Sequence, residues 1–226
     1  MADNNLSQIA PEIGRLSSLT RLVLSRNELK QLPDTLDGLS SLTELSMQGN
    51  QLEELPRSLS QLTRLGSLFV SQNRLTSLDD SFGNLSGLWN LELGGNNISV
   101  FPLAICRLST LVVLNLFGNG LSSLPDEIGQ LTSLQRLHLS YNYLSTLPTT
   151  LSSLGALRYI FLSLSLSLSL SLSHSLIILF ISRDLHLAGN RFTSFPLEIL
   201  GCHNLRELSL ADNDIPSLPQ DLSSIE

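Results

Sequence analysis

Residues Leu19 to Asn27 read "LTRLVLSRN", and the same skeleton returns as "LTELSMQGN" from Leu42, "LGSLFVSQN" from Leu65, "LWNLELGGN" from Leu88, "LVVLNLFGN" from Leu111 and "LQRLHLSYN" from Leu134. All follow L-x-x-L-x-L-x-x-N, with Met47 and Val70 in the last apolar place of their units. Their asparagines, Asn27, Asn50, Asn73, Asn96, Asn119 and Asn142, recur at one constant interval. Two more units close the chain, "SRDLHLAGN" ending at Asn190 and "LRELSLADN" ending at Asn213. Self-similarity at a fixed period decides the fold before any single element does.

Each asparagine is followed by a second half typified by "ELKQLPDTLDGLSSL" from Glu28, so the full unit is completed by N-x-L-x-x-L-P-x-x-L-x-x-L. The leucines of the first half point inward from a short strand and its approach. Those of the second half, spaced by three, fill the core from the other side, and no unit buries its apolar face alone. An amide carries donors and acceptors, so a buried column of asparagines suits backbone groups of adjacent turns. Pro33, Pro56, Pro102, Pro125, Pro148, Pro196 and Pro219 end the strand side and start the outer turn, and Asp79 replaces proline in "LTSLDDSF".

This pattern is identified as a leucine-rich repeat array, and the 23-residue Leu-Pro unit resembles the intracellular Ras-group arrays, including Ras-pathway and cell-polarity scaffolds. The expected fold is an α/β solenoid: a right-handed curved array of about nine rungs forming a single domain over residues 1–226. Short parallel strands line the concave face, and turns or short helical segments line the convex one. Strands are expected around Leu22, Leu45, Leu68, Leu91, Leu114, Leu137, Leu185 and Leu208. Both ends read as incomplete units: Asn4 stands one full repeat before Asn27, Pro11 is one place late, and "IPSLPQDLSSIE" stops within a repeat.

The net charge of −7 and the pI near 5.0 argue against nucleic acid or an anionic membrane surface as the main partner. "MADNNLSQIAPEIGRL" has no apolar stretch of signal-peptide length. The only two cysteines, Cys106 and Cys202, form no framework, which points to a reducing, cytoplasmic setting. No nucleophile elbow, phosphate loop or zinc motif occurs. The sequence implies no catalytic residue, cofactor or metal site. Gly94 and Gly95 read as a tight strand exit, and the sequons at Asn5, Asn84 and Asn97 as products of composition. His138 and His186 occupy equivalent places of different units, too few ligands for a metal centre.

The informative residues are the variable ones beside the leucines, because alternation along a strand turns them to the concave surface. These columns hold Phe69, Trp89, Asn90, Glu92, Phe117, Arg136, His138 and Tyr141, with Tyr143 just after the asparagine. Aromatics with a few charges on a preformed sheet fit a protein-binding face. The function expected is non-enzymatic recognition of a protein partner, and the family resemblance implies a small GTPase or another signalling protein. Two rivals are a recognition segment of a larger kinase or cyclase, and a receptor ectodomain with residues 159–182 as its anchor.

One stretch departs from the pattern. From Leu162 to Ser173 the chain reads "LSLSLSLSLSLS", followed by "HSLIILFIS". Tyr159 to Ser182 carries no formal charge and has the length of a bilayer span, but contains many serines and would leave only two repeats beyond it. As one strand the alternation would run about 40 Å, far beyond a rung, and as a helix it defines no apolar stripe. The interval from Asn142 to Asn190 is two places longer than two repeats, and deleting residues 159–183 restores both "LRDLHLAGN" and the one-repeat interval. The tract therefore reads as a low-complexity insertion. Alternating Leu-Ser is encodable by a CT repeat, and its flanks by splice-site sequences, as for an intron read through in frame. "LRYIFLSLS" also matches the strand pattern with Ser165 in the asparagine's place, so an extra rung and an extruded loop both stand. Its removal is expected to raise solubility and melting temperature.

Overall fold

The computed structural model describes residues 1–144, 148–161, 184–186, 195, 206–211 and 215–218. It is a solenoid whose strands form one parallel sheet in chain order. The strands are β1 (Arg21–Val23), β2 (Glu44–Ser46), β3 (Ser67–Phe69), β4 (Asn90–Glu92), β5 (Val113–Asn115), β6 (Arg136–His138), β7 (Tyr159–Phe161), β8 (Asp184–His186) and β9 (Glu207–Ser209). Every expected strand is present. Each is three residues long because the pattern puts one inward leucine between two outward residues. Leu22, Leu45, Leu68, Leu91, Leu114 and Leu137 are accordingly all buried.

The return path follows from a second period. Leucines spaced by three share one face of a 3-10 helix, which has about three residues per turn. One such turn covers Arg57–Gln61, closed by Leu59 N–H donating to the Pro56 carbonyl at 3.1 Å and Leu62 N–H to the Leu59 carbonyl at 3.1 Å. Leu59, Leu62 and Leu65 are thereby all buried. The same device recurs at Leu103–Arg107, Asp126–Gln130 and Thr149–Ser153, each preceded by a proline whose fixed φ suits the entry. The first turn, Pro11–Arg15, instead takes its late proline as its first residue.

Asp79, the exception among the prolines, has φ −65° and ψ 147°, nearly the geometry Pro56 adopts in its own rung. Its carboxylate accepts from the Ser81 amide at 3.0 Å and the Ser81 hydroxyl at 2.7 Å, and meets Arg57 at 3.0 Å. A side-chain cap thus does the work of the ring.

The asparagines form the ladder that the repeat implied. Asn96 Nδ2 donates to the Leu93 carbonyl in its own rung at 2.8 Å and to the Val70 carbonyl of the preceding rung at 3.1 Å, and its Oδ1 accepts from the Leu75 amide at 3.0 Å. Asn50, Asn73, Asn119 and Asn142 repeat this scheme, and Asn27 continues it to Leu6 and Met1. Asn190 and Asn213 lie outside the described residues.

One strand goes beyond the expected eight. Tyr159–Phe161, the first residues of the inserted tract, form β7 between β6 and β8, with Arg136 opposite Tyr159 and Tyr159 opposite Asp184. Ile160 takes the inward leucine's place and is fully buried. For these three residues the extra-rung arrangement holds, and the tract from 162 to 183 lies outside the described residues.

Replacing Asn96 with alanine strands the buried Leu75 N–H and removes one of two donors from the Val70 and Leu93 carbonyls, which keep Asn73 and Asn119. At about 1–3 kcal/mol for the stranded N–H and about 0.5–1.5 kcal/mol for each lost bond, partly relieved by water entry, urea unfolding is expected to show a loss of about 2–3 kcal/mol. The exposed neighbour Asn97→Ala should stay within about 0.5 kcal/mol of the parent. For the exceptional cap, Asp79→Ala should lower the melting temperature and Asp79→Pro should recover most of the loss, since the backbone there already suits proline.

Candidate functional site: the concave sheet face

In each of strands β1 to β6 two side chains face outward, one on each side of the buried centre. Parallel register stacks them into columns: Arg21, Glu44, Ser67, Asn90, Val113 and Arg136 in one, continued by Tyr159 of β7, and Val23, Ser46, Phe69, Glu92, Asn115 and His138 in the other. Strands lie about 4.8 Å apart, so column neighbours touch.

The face has two unlike halves. Over β1 and β2 the polar groups satisfy one another: Arg21 Nε meets Glu44 Oε1 at 2.8 Å, and the Ser25 and Ser46 hydroxyls lie 2.6 Å apart. Over β4 to β7 the surface is aromatic. Phe117 has its ring centroid 5.2 Å from His138 and 5.0 Å from Tyr141, the second contact edge-on. Such pairs contribute about 0.5–1.5 kcal/mol beyond burial. Phe117 remains 37% exposed and Tyr141 63%.

Tyr141 has φ 58°, in the left-handed region. It belongs to the column in which the rungs of β1 to β6 turn out of their strands, occupied elsewhere by Gly49, Gly95 and Gly118, all with positive φ, and by Arg26 and Gln72. The Gly94-Gly95 pair is therefore the tight strand exit the sequence suggested. A bulky aromatic in this conformation is strained where glycine is not.

Arg136 lies over the Tyr159 ring, its guanidinium carbon 5.2 Å from the centroid, and is exposed with no acidic partner among the described residues. Trp89, 48% exposed, precedes β4 and rests its indole over Gly66 of the preceding rung, where a Cβ would come within 2.8 Å of Nε1. The expected tryptophan anchor is thus half seated against the neighbouring rung. Phe69 is half-buried on β3, two rungs from Phe117. Tyr143 is 71% exposed but follows the ladder, its N–H bonded to the Leu121 carbonyl at 2.8 Å, beyond the strands themselves.

A polar pair is set into the aromatic half. Glu92 Oε2 accepts from Asn115 Nδ2 at 2.7 Å, and Asn115 Oδ1 accepts from the Phe117 amide at 2.9 Å, which ties the cluster to the strand below. Burial pushes the Glu92 carboxyl above its usual range, and the Asn115 bond only partly opposes this. Asn90 Oδ1 is buried without a hydrogen-bond donor among the described residues. Two participants escape the sequence reading. Asn115 is legible there only as a column member. Tyr159 stands one repeat after Arg136, a signal obscured because it opens the inserted tract. Among the described residues no helix is long and apolar enough to cross a membrane.

A family model described as leucine rich repeat matches residues 1–52 and 109–166, and a second of the same description matches residues 201–215. No curated protein matches the sequence. Among solved structures, a leucine-rich repeat protein of Leptospira interrogans is 30% identical with TM-score 0.75, covering 100% of this chain and 63% of its own. TLR13 in complex with ssRNA13 is 27% identical with TM-score 0.72, covering 91% of this chain and 30% of its own. A plant peptide hormone receptor in complex with RGF2 is 28% identical with TM-score 0.61, covering 94% and 43%. The chain thus spans less than two thirds of the length of each.

The Glu92 environment predicts a pH signature. A carboxyl raised on folding binds its proton more tightly in the native state, so its stabilising contribution is full below the ordinary Glu range and is lost as pH rises through the raised value. Glu92→Gln, which keeps an acceptor for Asn115, should therefore raise the melting temperature at neutral pH. The gain should shrink to nothing when melts are repeated in acid below the ordinary range.

Proposed function

This chain belongs to the leucine-rich repeat proteins, and we propose that it is a non-enzymatic recognition module that binds a segment of a partner protein across strands β4 to β7. The observation that carries this reading is the Phe117, His138 and Tyr141 cluster. Aromatic side chains are packed on one another at the surface rather than in the core, and one is held there on a strained backbone. Strain of this kind persists where the surrounding structure over-determines it, and it concentrates at binding sites. Rigid aromatics supply contact area at small entropic cost.

The remaining groups suit an extended segment. Arg136 is open to a carboxylate, and the half-seated Trp89 borders the patch. The partner expected from the Ras-group resemblance is a small GTPase or another signalling protein. A nucleic-acid partner, such as the RNA carried by one structural neighbour, is disfavoured by the net charge of −7 and by Glu44 and Glu92 on this face. A cytoplasmic location is supported by the cysteine usage, since Cys106 and Cys202 form no disulfide framework in the sequence. The receptor reading, with residues 159–182 as anchor, is opposed by β7, which begins that stretch inside the sheet.

Changing Phe69, Trp89, Phe117 and Tyr141 together to alanine should abolish partner capture in pull-downs. A convex-face control, Leu103→Ser with Glu127→Gln, should capture partners as the parent does. Tyr141→Gly alone offers a sharper separation. It relieves the left-handed strain and should leave the melting temperature unchanged or higher, yet it should weaken binding at least fivefold, about 1 kcal/mol, as loss of an aromatic anchor implies. Full binding by the quadruple variant with an intact fold rejects the concave-face assignment.

A further inference from the structure

The register of the sheet assigns a role to the inserted residues. Each step from β1 to β7 is one repeat long, whereas the step from Tyr159 of β7 to Asp184 of β8 is two places longer. Removing residues 159–183 therefore puts Asp184, Leu185 and His186 in the places of Tyr159, Ile160 and Phe161. The inward position stays aliphatic, with Leu185 for the buried Ile160. Asn190 then falls one repeat after Asn142, the spacing of the ladder.

The outward positions change in kind. With the inserted residues present, the neighbour of Arg136 in its column is Tyr159, whose ring lies under the guanidinium and leaves its charge uncompensated among the described residues. Without them, the neighbour is Asp184. What an arginine and an acid do at these positions is already visible elsewhere in the protein. Arg21 and Glu44 occupy the same column on adjacent strands and meet at 2.8 Å.

We infer that residues 159–183 are an in-register cassette that sets the chemistry of the concave face: with it, Arg136 is free to receive an acidic group of a partner, and without it Arg136 is paired within the array. The two lengths are expected to fold alike and to differ in one strand and in whether the guanidinium beside the aromatic cluster is paired. The register and the pairing stand without the binding reading above, the partner's acidic group rests on it, and the test involves no partner.

The experiment compares the full chain with a chain lacking residues 159–183. Both are examined by thermal melting and sedimentation and then treated with phenylglyoxal, which modifies accessible arginines, with the rate at each arginine read by mass spectrometry and exposed Arg64 as reference. The shortened chain is expected to be monomeric and to melt cooperatively at or above the temperature of the full chain. Arg136 should react about threefold more slowly in it, the protection an exposed ion pair gives. Asp184→Asn in the shortened chain should restore the rate, and the same change in the full chain should leave Arg136 unaffected. A shortened chain that fails to fold or melts lower overturns the cassette. An Arg136 rate that is unchanged by excision, or protection that Asp184→Asn does not lift, overturns the pairing.

Discussion

The buried asparagine ladder is the interaction on which the rest of this structure depends. A solenoid rung must turn its backbone sharply after each strand, and the turn leaves carbonyls and amides inside the protein with no strand partner. An unpaired buried backbone group costs about 1–3 kcal/mol. One amide side chain solves this for three groups at once, and because two of them belong to the preceding rung, it also joins neighbours. Asn96 meets Val70 and Leu75 on one side and Leu93 on the other. Leucine offers none of these bonds and serine lacks the paired donors, which is why the position repeats as asparagine from Asn27 to Asn142.

Fixing one residue per rung in space fixes the strand that precedes it. Leu91 and Leu93 must then point inward, and Asn90 and Glu92 outward, with the same division in every rung. The fold consumes the leucines and asparagines and leaves the outward columns free to vary. That freedom has been used unevenly. The first rungs carry self-satisfied pairs such as Arg21 with Glu44, while β4 to β7 carry aromatics, a guanidinium stacked on a ring and a half-buried carboxyl. Tyr141 takes a left-handed conformation that three other rungs give to glycine and two to Arg26 and Gln72, and among them it is the bulky aromatic.

Much of this was legible in the sequence because each part is periodic. The strand centres, the ladder and the proline turns follow from counting, and the spacing of leucines by three even matches the 3-10 geometry of the return path. What was not legible depends on contacts between rungs. Nothing in "LTSLDDSF" announces that Asp79 caps its turn through Ser81, since the geometry of the following residues decides it. Trp89 was readable as an outward residue, but its seat over Gly66 depends on a glycine one repeat away. Tyr159 was hidden for another reason. The low-complexity tract that it opens breaks the pattern by which every other site residue was found, although its first residues still obey the one-repeat step.

If the ladder sets the register, the amides it holds belong to the most protected structure in the protein. The direct measurement is native-state hydrogen exchange at Leu29, Leu52, Leu75, Ile98 and Leu121, whose N–H groups donate to the side-chain oxygens of Asn50, Asn73, Asn96, Asn119 and Asn142. These amides lie outside any strand, so loop-like exchange is the default. The account predicts instead that they exchange with the strand amides of β2 to β5, through global rather than local opening. Exchange at loop rates while the strands stay protected would contradict it.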